Sequence, residues 1–148
     1  MDYRSIFQVS ASGMDLEKLR LDTAALNLAN MDTSVPAGAA PFRPLRVVGQ
    51  AVAPSFGQWM EMQGAAGAGG VGGVSVAAVV PTDATPRIVH DPAHPHADAR
   101  GDVRYPGVDH TAEMLNIMTA LRAYEANVAA IGAAKSMAAH ALEIGDRT

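Results

Sequence analysis

The sequence predicts a mainly helical α+β chain, with N- and C-terminal helices forming a coiled coil and a small β-rich insert between them. Three observations carry this. Apolar residues recur at helical spacing from about Ser10 to Asn30, and again from Asp109 to about Ile144. Seven of the nine prolines lie between Pro41 and Pro95, which forbids long helices there. The β-prone pieces that survive, Leu45 to Val48, Val74 to Val80 and Arg87 to Val89, are bounded by Gly and Pro. The chain therefore divides into a helical segment 1–35, a Pro/Gly-rich insert 36–106 and a long helix 107–148, the two ends together making one helical domain.

The first helix is expected to start at Ser10 or Ser12, whose hydroxyl can accept from the first orphan N–H groups. It is expected to stop at Asn30, which tolerates a left-handed turn, with Pro36 following. Met14, Leu21, Ala25 and Leu28 share one side of it, and Leu16, Leu19, Thr23 and Leu26 share nearly the opposite side. Glu17, Arg20 and Asn27 separate these stripes on one flank, and Asp15, Lys18 and Asp22 on the other. A helix on the outside of a monomer needs one apolar face, so two opposed stripes predict packing between partners. The alternative is a self-contained two-helix monomer.

In the last helix Asp109 or Thr111 is the expected N-cap, and Gly145 stands where a C-terminal cap belongs. Ile117, Leu121, Tyr124, Val128, Ile131, Ala138 and Leu142 step at coiled-coil spacing, interrupted by Lys135 at one expected core position. Alanines between them keep the helix thin, and at 1.5 Å per residue it would run roughly 50 Å.

Composition narrows the function. The chain has 148 residues, enough for one compact domain, and is 49% hydrophobic against 18% charged, too apolar to be disordered throughout. Only 5% is aromatic, and alanine supplies much of the apolar count, so the core should be thin and the helices in need of partners. A net charge of −4 without a Lys/Arg run argues against nucleic-acid binding. There is no cysteine, which removes disulfides, thiolate metal ligands and thiol nucleophiles. No 18-residue apolar run is present, so no membrane span is expected. Met1 to Gln8 does not resemble a cleaved secretory signal, so a role outside the cytoplasm would need another export route.

Three motifs are weighed and set aside. Gly67, Gly69 and Gly72 satisfy GxGxxG, but no helix follows to aim N–H groups at a pyrophosphate, and the stretch Gly64 to Gly73 reads as a loop. His90, Asp91, His94, His96 and Asp98 are the densest set of possible metal ligands, yet Pro92 and Pro95 break the spacing that structural zinc sites use. They read as a rigid turn feeding Asp109. No Gly-x-Ser-x-Gly elbow or paired-carboxylate motif is present, so no catalytic, cofactor or metal residue is assigned and no enzyme is expected.

Ser10-Ala11-Ser12-Gly13-Met14, followed by Leu26-Asn27-Leu28-Ala29-Asn30, resembles the N-terminal signature of the flagellar axial proteins, the superfamily of rod, hook and hook-associated subunits. Pro41-Phe42-Arg43, the run from Asp91-Pro92 to Tyr105-Pro106, and Glu113-Met114, Tyr124, Ala126-Asn127-Val128 and Ala134-Lys135-Ser136-Met137 resemble its proximal-rod branch. Gly107 stands where that branch usually has Asn, and both tolerate left-handed backbone. The resemblance implies a non-enzymatic rod subunit whose terminal helices lie in the wall of a helical tube and contribute to torque transmission. It also implies partners among other rod proteins and copies of the chain. Export would be unfolded, through the flagellar type III apparatus without a cleaved signal, to the periplasmic rod of the basal body. The expected subunit-interface residues are Met14, Leu16, Leu19, Leu21, Leu26, Asn27, Leu28 and Asn30 on the first helix. On the last helix they are Ile117, Leu121, Tyr124, Asn127, Val128, Ile131 and Leu142. The competing reading is a soluble coiled-coil adaptor or secretion partner.

Overall fold

A computed structural model describes residues 3–52 and 72–145 of the chain. Helix α1 spans Tyr3–Asn30, strands β1 Leu45–Val52, β2 Gly73–Pro81, β3 Arg87–His90 and β4 Asp102–Tyr105 follow, and helix α2 spans His110–Gly145. β1 pairs with β2, and β3 pairs with β4, giving two separate two-stranded sheets. The fold class of two terminal helices around a small β insert holds. Gly67 and Gly69 of the glycine motif lie outside the described residues.

Several boundaries differ from expectation for identifiable reasons. Helix α1 begins a full two turns before Ser10, so neither serine caps it. Ser10 is instead buried mid-helix, and the Ser12 hydroxyl donates back to the Val9 carbonyl at 2.8 Å. At the other end no non-glycine residue among those described has positive φ, so Asn30 does not turn left-handed. The helix tightens instead, with Met31 N–H donating to Leu28 O at 3.2 Å and Thr33 N–H to Asn30 O at 3.1 Å. Strand β4 was not expected; four residues that start with two charges among three carry little β pattern of their own. It forms by antiparallel pairing with β3, Arg87 opposite Tyr105 and Val89 opposite Val103. The N-cap of α2 is Asp109, whose Oδ1 accepts from Thr111 N–H at 2.9 Å and Ala112 N–H at 3.3 Å.

The chain forms two compact units. One comprises Met1–Lys18, Gly49–Ala77 and Ala120–Thr148, the other Leu19–Val48 and Ala78–Thr119, so each draws on both helices and on the insert. In the first, Leu16 is the large buried apolar side chain, and it lies against Gly49 of β1, where an added Cβ would come within 2.8 Å of Leu16 Cδ2. The Val74 N–H at the start of β2 donates to Ser12 Oγ at 3.1 Å. In the second, Val103 of β4 and Pro106 just after that strand are fully covered. The buried hydrophobic residues described are three alanines, two valines and one leucine, so the core is thin, as the alanine content predicts.

Gly107 is needed for a reason other than the left-handed turn expected of it. Its φ is not positive, but a Cβ there would run into the Thr85 carbonyl oxygen and stand 2.9 Å from its carbon. Gly107→Ala should therefore destabilise the second unit by about 1–3 kcal/mol, the usual cost of overpacking. Chemical denaturation checks this: an unchanged midpoint would show that the two backbones can part freely.

Candidate assembly interface

Residues of α1 are covered along a narrow face: Ser10, Leu16 and Glu17, Thr23 and Ala24, then Asn27. This is the flank that holds Glu17 and Asn27, between the two apolar stripes, and of the stripes themselves only Leu16 and Thr23, from the same stripe, are covered. Small side chains explain the choice. Ser10, Gly13 and Ala24 let a neighbour approach the helix backbone closely. In the first unit a Cβ on Gly13 would fall 2.8 Å from Asn127 Nδ2 of α2. Met14, Leu19, Leu21, Leu28 and Asn30 are half-buried on the shoulders of that face, and Leu26 is exposed. The charged side with Asp15, Lys18 and Asp22 is exposed as well.

Helix α2 follows the same logic. Its covered or half-covered positions run Glu113, Ile117, Ala120, Tyr124, Asn127, Ile131, Ala134 and Ala138 in alternating steps of four and three, with Ala123 half-covered beside Tyr124. The seam expected from the sequence shares Ile117, Tyr124, Ile131 and Ala138 but places Leu121, Val128 and Leu142 inside. These three are exposed, at 46%, 48% and 75%. Ala120, Asn127 and Ala134 occupy the seam in place of the neighbouring Leu121, Val128 and Lys135, so the interruption expected at Lys135 is absent. Apolar size drives a pattern reading, whereas close approach selects small residues.

The displaced residues make a surface of their own. In the first unit Leu121, Val128, Lys135 and Leu142 fall at intervals of seven, a single ridge along α2. In the second unit Met114, Leu115 and Met118 are exposed on the same helix, and Leu26 on α1. Among the expected interface residues, Leu16 and Asn27 are covered within the chain, whereas Leu26, Leu121, Val128 and Leu142 are exposed. Glu113, named from the sequence only as part of a family motif and not among the interface residues, stands at the first turn of α2, and its Oε1 accepts from Asn27 Nδ2 at 3.2 Å.

The histidine-rich segment between β3 and β4 is tied by its own backbone. Asp91 N–H donates to Gly101 O at 2.8 Å and Ala97 N–H to His94 O at 3.0 Å. His90 Nδ1 lies 3.0 Å from Asp102 Oδ1, and His96 Nδ1 lies 2.9 Å from Ser34 Oγ. Among the described residues no group of three or more such side chains converges to hold a metal ion. Asp98 is the anchor of this loop: its Oδ1 accepts from Asp102 N–H at 3.0 Å and Arg100 N–H at 2.8 Å. These backbone donors, that of Asp102 first, stabilise the carboxylate and hold its pKa below the ordinary value of 3.8.

A depressed carboxylate pKa contributes stability above its unfolded value and loses it as pH falls through the folded one. The loop should therefore loosen below about pH 3.8. Asp98→Asn, which keeps the acceptor without the charge, should flatten that acid dependence when amide exchange of residues 98–102 is followed by NMR. An unaltered acid profile in the variant would place the responsible group elsewhere.

Residues 100–144 match the family described as flagellar basal body rod FlgEFG protein, C-terminal. Across nearly its whole length the chain is also similar to proteins named flagellar basal-body rod protein FlgC. It is 39% identical over 141 residues to that of Bacillus subtilis, covering 93% of this chain and 94% of the relative. It is 37% identical over 141 residues to that of Escherichia coli, covering 95% and 96%. With the Yersinia enterocolitica protein it shares 37% over 145 residues, covering 98% and 99%.

Proposed function

Because the chain belongs to the flagellar basal-body rod protein FlgC family, whose members are structural and not enzymes, we propose that it builds the rod by packing its terminal helices against neighbouring subunits. The exposed ridge of Leu121, Val128 and Leu142 carries this reading. A side chain of this kind gains about 1.5–3 kcal/mol on full burial, and the chain itself leaves much of that gain unused. Neighbours of the same kind, with seams spaced by three and four, supply a matching surface for coiled-coil packing. The half-buried Met14, Leu19, Leu21 and Leu28 form the second contact zone, on the shoulders of α1. Partners are copies of the chain and other rod proteins. Torque passes through the wall that these helices make.

Delivery to the periplasmic rod through the flagellar export apparatus is part of the same proposal, and the family membership supports it. No helix among the described residues is long and apolar enough to cross a membrane. A coiled-coil adaptor is not favoured, since the near full-length relatives are rod proteins.

Leu121→Glu should leave expression and the melting temperature of the isolated chain almost unchanged, within about 0.5 kcal/mol, because the site is exposed. The same change in the source bacterium should abolish motility and remove the chain from purified hook–basal bodies, as read by quantitative mass spectrometry. Normal swimming with normal incorporation would refute the assigned contact surface. Complete absence of the unaltered chain from those basal bodies would refute the rod role itself.

A further inference from the structure

Asn27 belongs to the set expected between subunits, yet it is only 1% exposed and its side-chain bonds run to Leu45 and Glu113, both within the second unit. Its Oδ1 accepts from Leu45 N–H at 2.8 Å, and its Nδ2 donates to Leu45 O at 2.9 Å. Two residues directly opposed in an antiparallel ladder exchange the same pair of bonds. The side-chain amide thus stands in for a strand at the first residue of β1. The Nδ2 group also reaches Glu113 Oε1, which brings in the first turn of α2. Three segments far apart in sequence therefore meet on one amide, and both its donor and its acceptor are engaged.

We propose that Asn27 is a positioning residue for rod assembly: it fixes where β1 begins and ties that point to α2 through Glu113. The inference rests on the rod-subunit reading for its consequence, but its geometry stands apart from it. An amide is required because one atom must accept from Leu45 while the other donates twice. Aspartate has the same shape, but an oxygen carrying negative charge would face both Leu45 O and Glu113 Oε1. Leaving such groups buried without a donor weakens the local structure by roughly tenfold or more in its closing equilibrium.

Purified full-length Asn27→Asp should show the Leu45 amide exchanging about tenfold faster or more than in the wild type. Adding Glu113→Gln to that variant should restore part of the protection, because the amide introduced at position 113 can donate to the carboxylate introduced at position 27. The gap between Asn27→Asp and wild type should also narrow as pH is lowered from about 7 to about 5, since protonation of the introduced carboxylate regains a donor. These two rescues keep the test valid if Asn27→Asp alone is poorly folded at neutral pH. Equal Leu45 exchange in variant and wild type, or no rescue from either route, would overturn the clamp. In cells Asn27→Asp should lower incorporation into basal bodies, and normal incorporation with a broken clamp would overturn the positioning role. If the clamp behaves as described but Leu121→Glu cells swim normally, the contact surface is at fault and the clamp stands.

Discussion

A buried side-chain amide is costly unless both of its ends are satisfied, and that constraint governs the second unit. Asn27 meets it by bonding both backbone groups of Leu45 and the carboxylate of Glu113. The place where the chain re-enters the fold after α1 is set by that need. Next to Leu45, the Thr82 N–H donates to Pro44 O at 2.7 Å, so β2 ends against the residue that precedes β1. Arg43 pairs with Asp83 nearby, and Arg87 with Asp32 at 2.9 Å. Both ion pairs are largely exposed and of small energetic weight. They follow the arrangement that the amide imposes rather than create it.

The helices are built on a principle of thinness. Ser10, Gly13 and Ala24 on α1, and Ala120 and Ala134 on α2, give little apolar area each, but they let atoms of a neighbour reach the backbone. Dispersion gained at close approach compensates for small side chains. The larger Leu and Met residues then mostly fall beside the covered face, half-buried or outside. In an ordinary amphipathic helix the biggest apolar residues mark the core. Here most of them mark its margins.

This explains what could and could not be read from the amino-acid order. The two helices, the β-rich insert and the Asp109 cap were readable because proline placement, periodicity and capping act locally. The covered faces were not, since apolar size is a misleading guide where Gly, Ala and Ser admit a close neighbour. Asn27 drew notice as part of a family signature and was placed between subunits, yet its partners Leu45 and Glu113 are 18 and 86 residues away, distances at which sequence spacing is silent. Strand β4 was missed for a related reason: Val103 is its only wholly buried residue, and its pairing with Val89 is decided by the fold. The membership of the rod family was carried by the terminal motifs, which survive such misplacements.

The ridge of Leu121, Val128 and Leu142 has a thermodynamic corollary. Apolar surface left in water contributes nothing to the stability of a solitary chain, and a partner that covers it adds its binding free energy to the folded state alone. Folding and association then become linked equilibria, with stability rising by RT ln(1 + [L]/Kd) in the concentration of neighbours. A subunit of this kind is easiest to unfold when alone and hardest to unfold when its neighbours are in place. Durability is then a property of the rod, conferred on each chain by its position there.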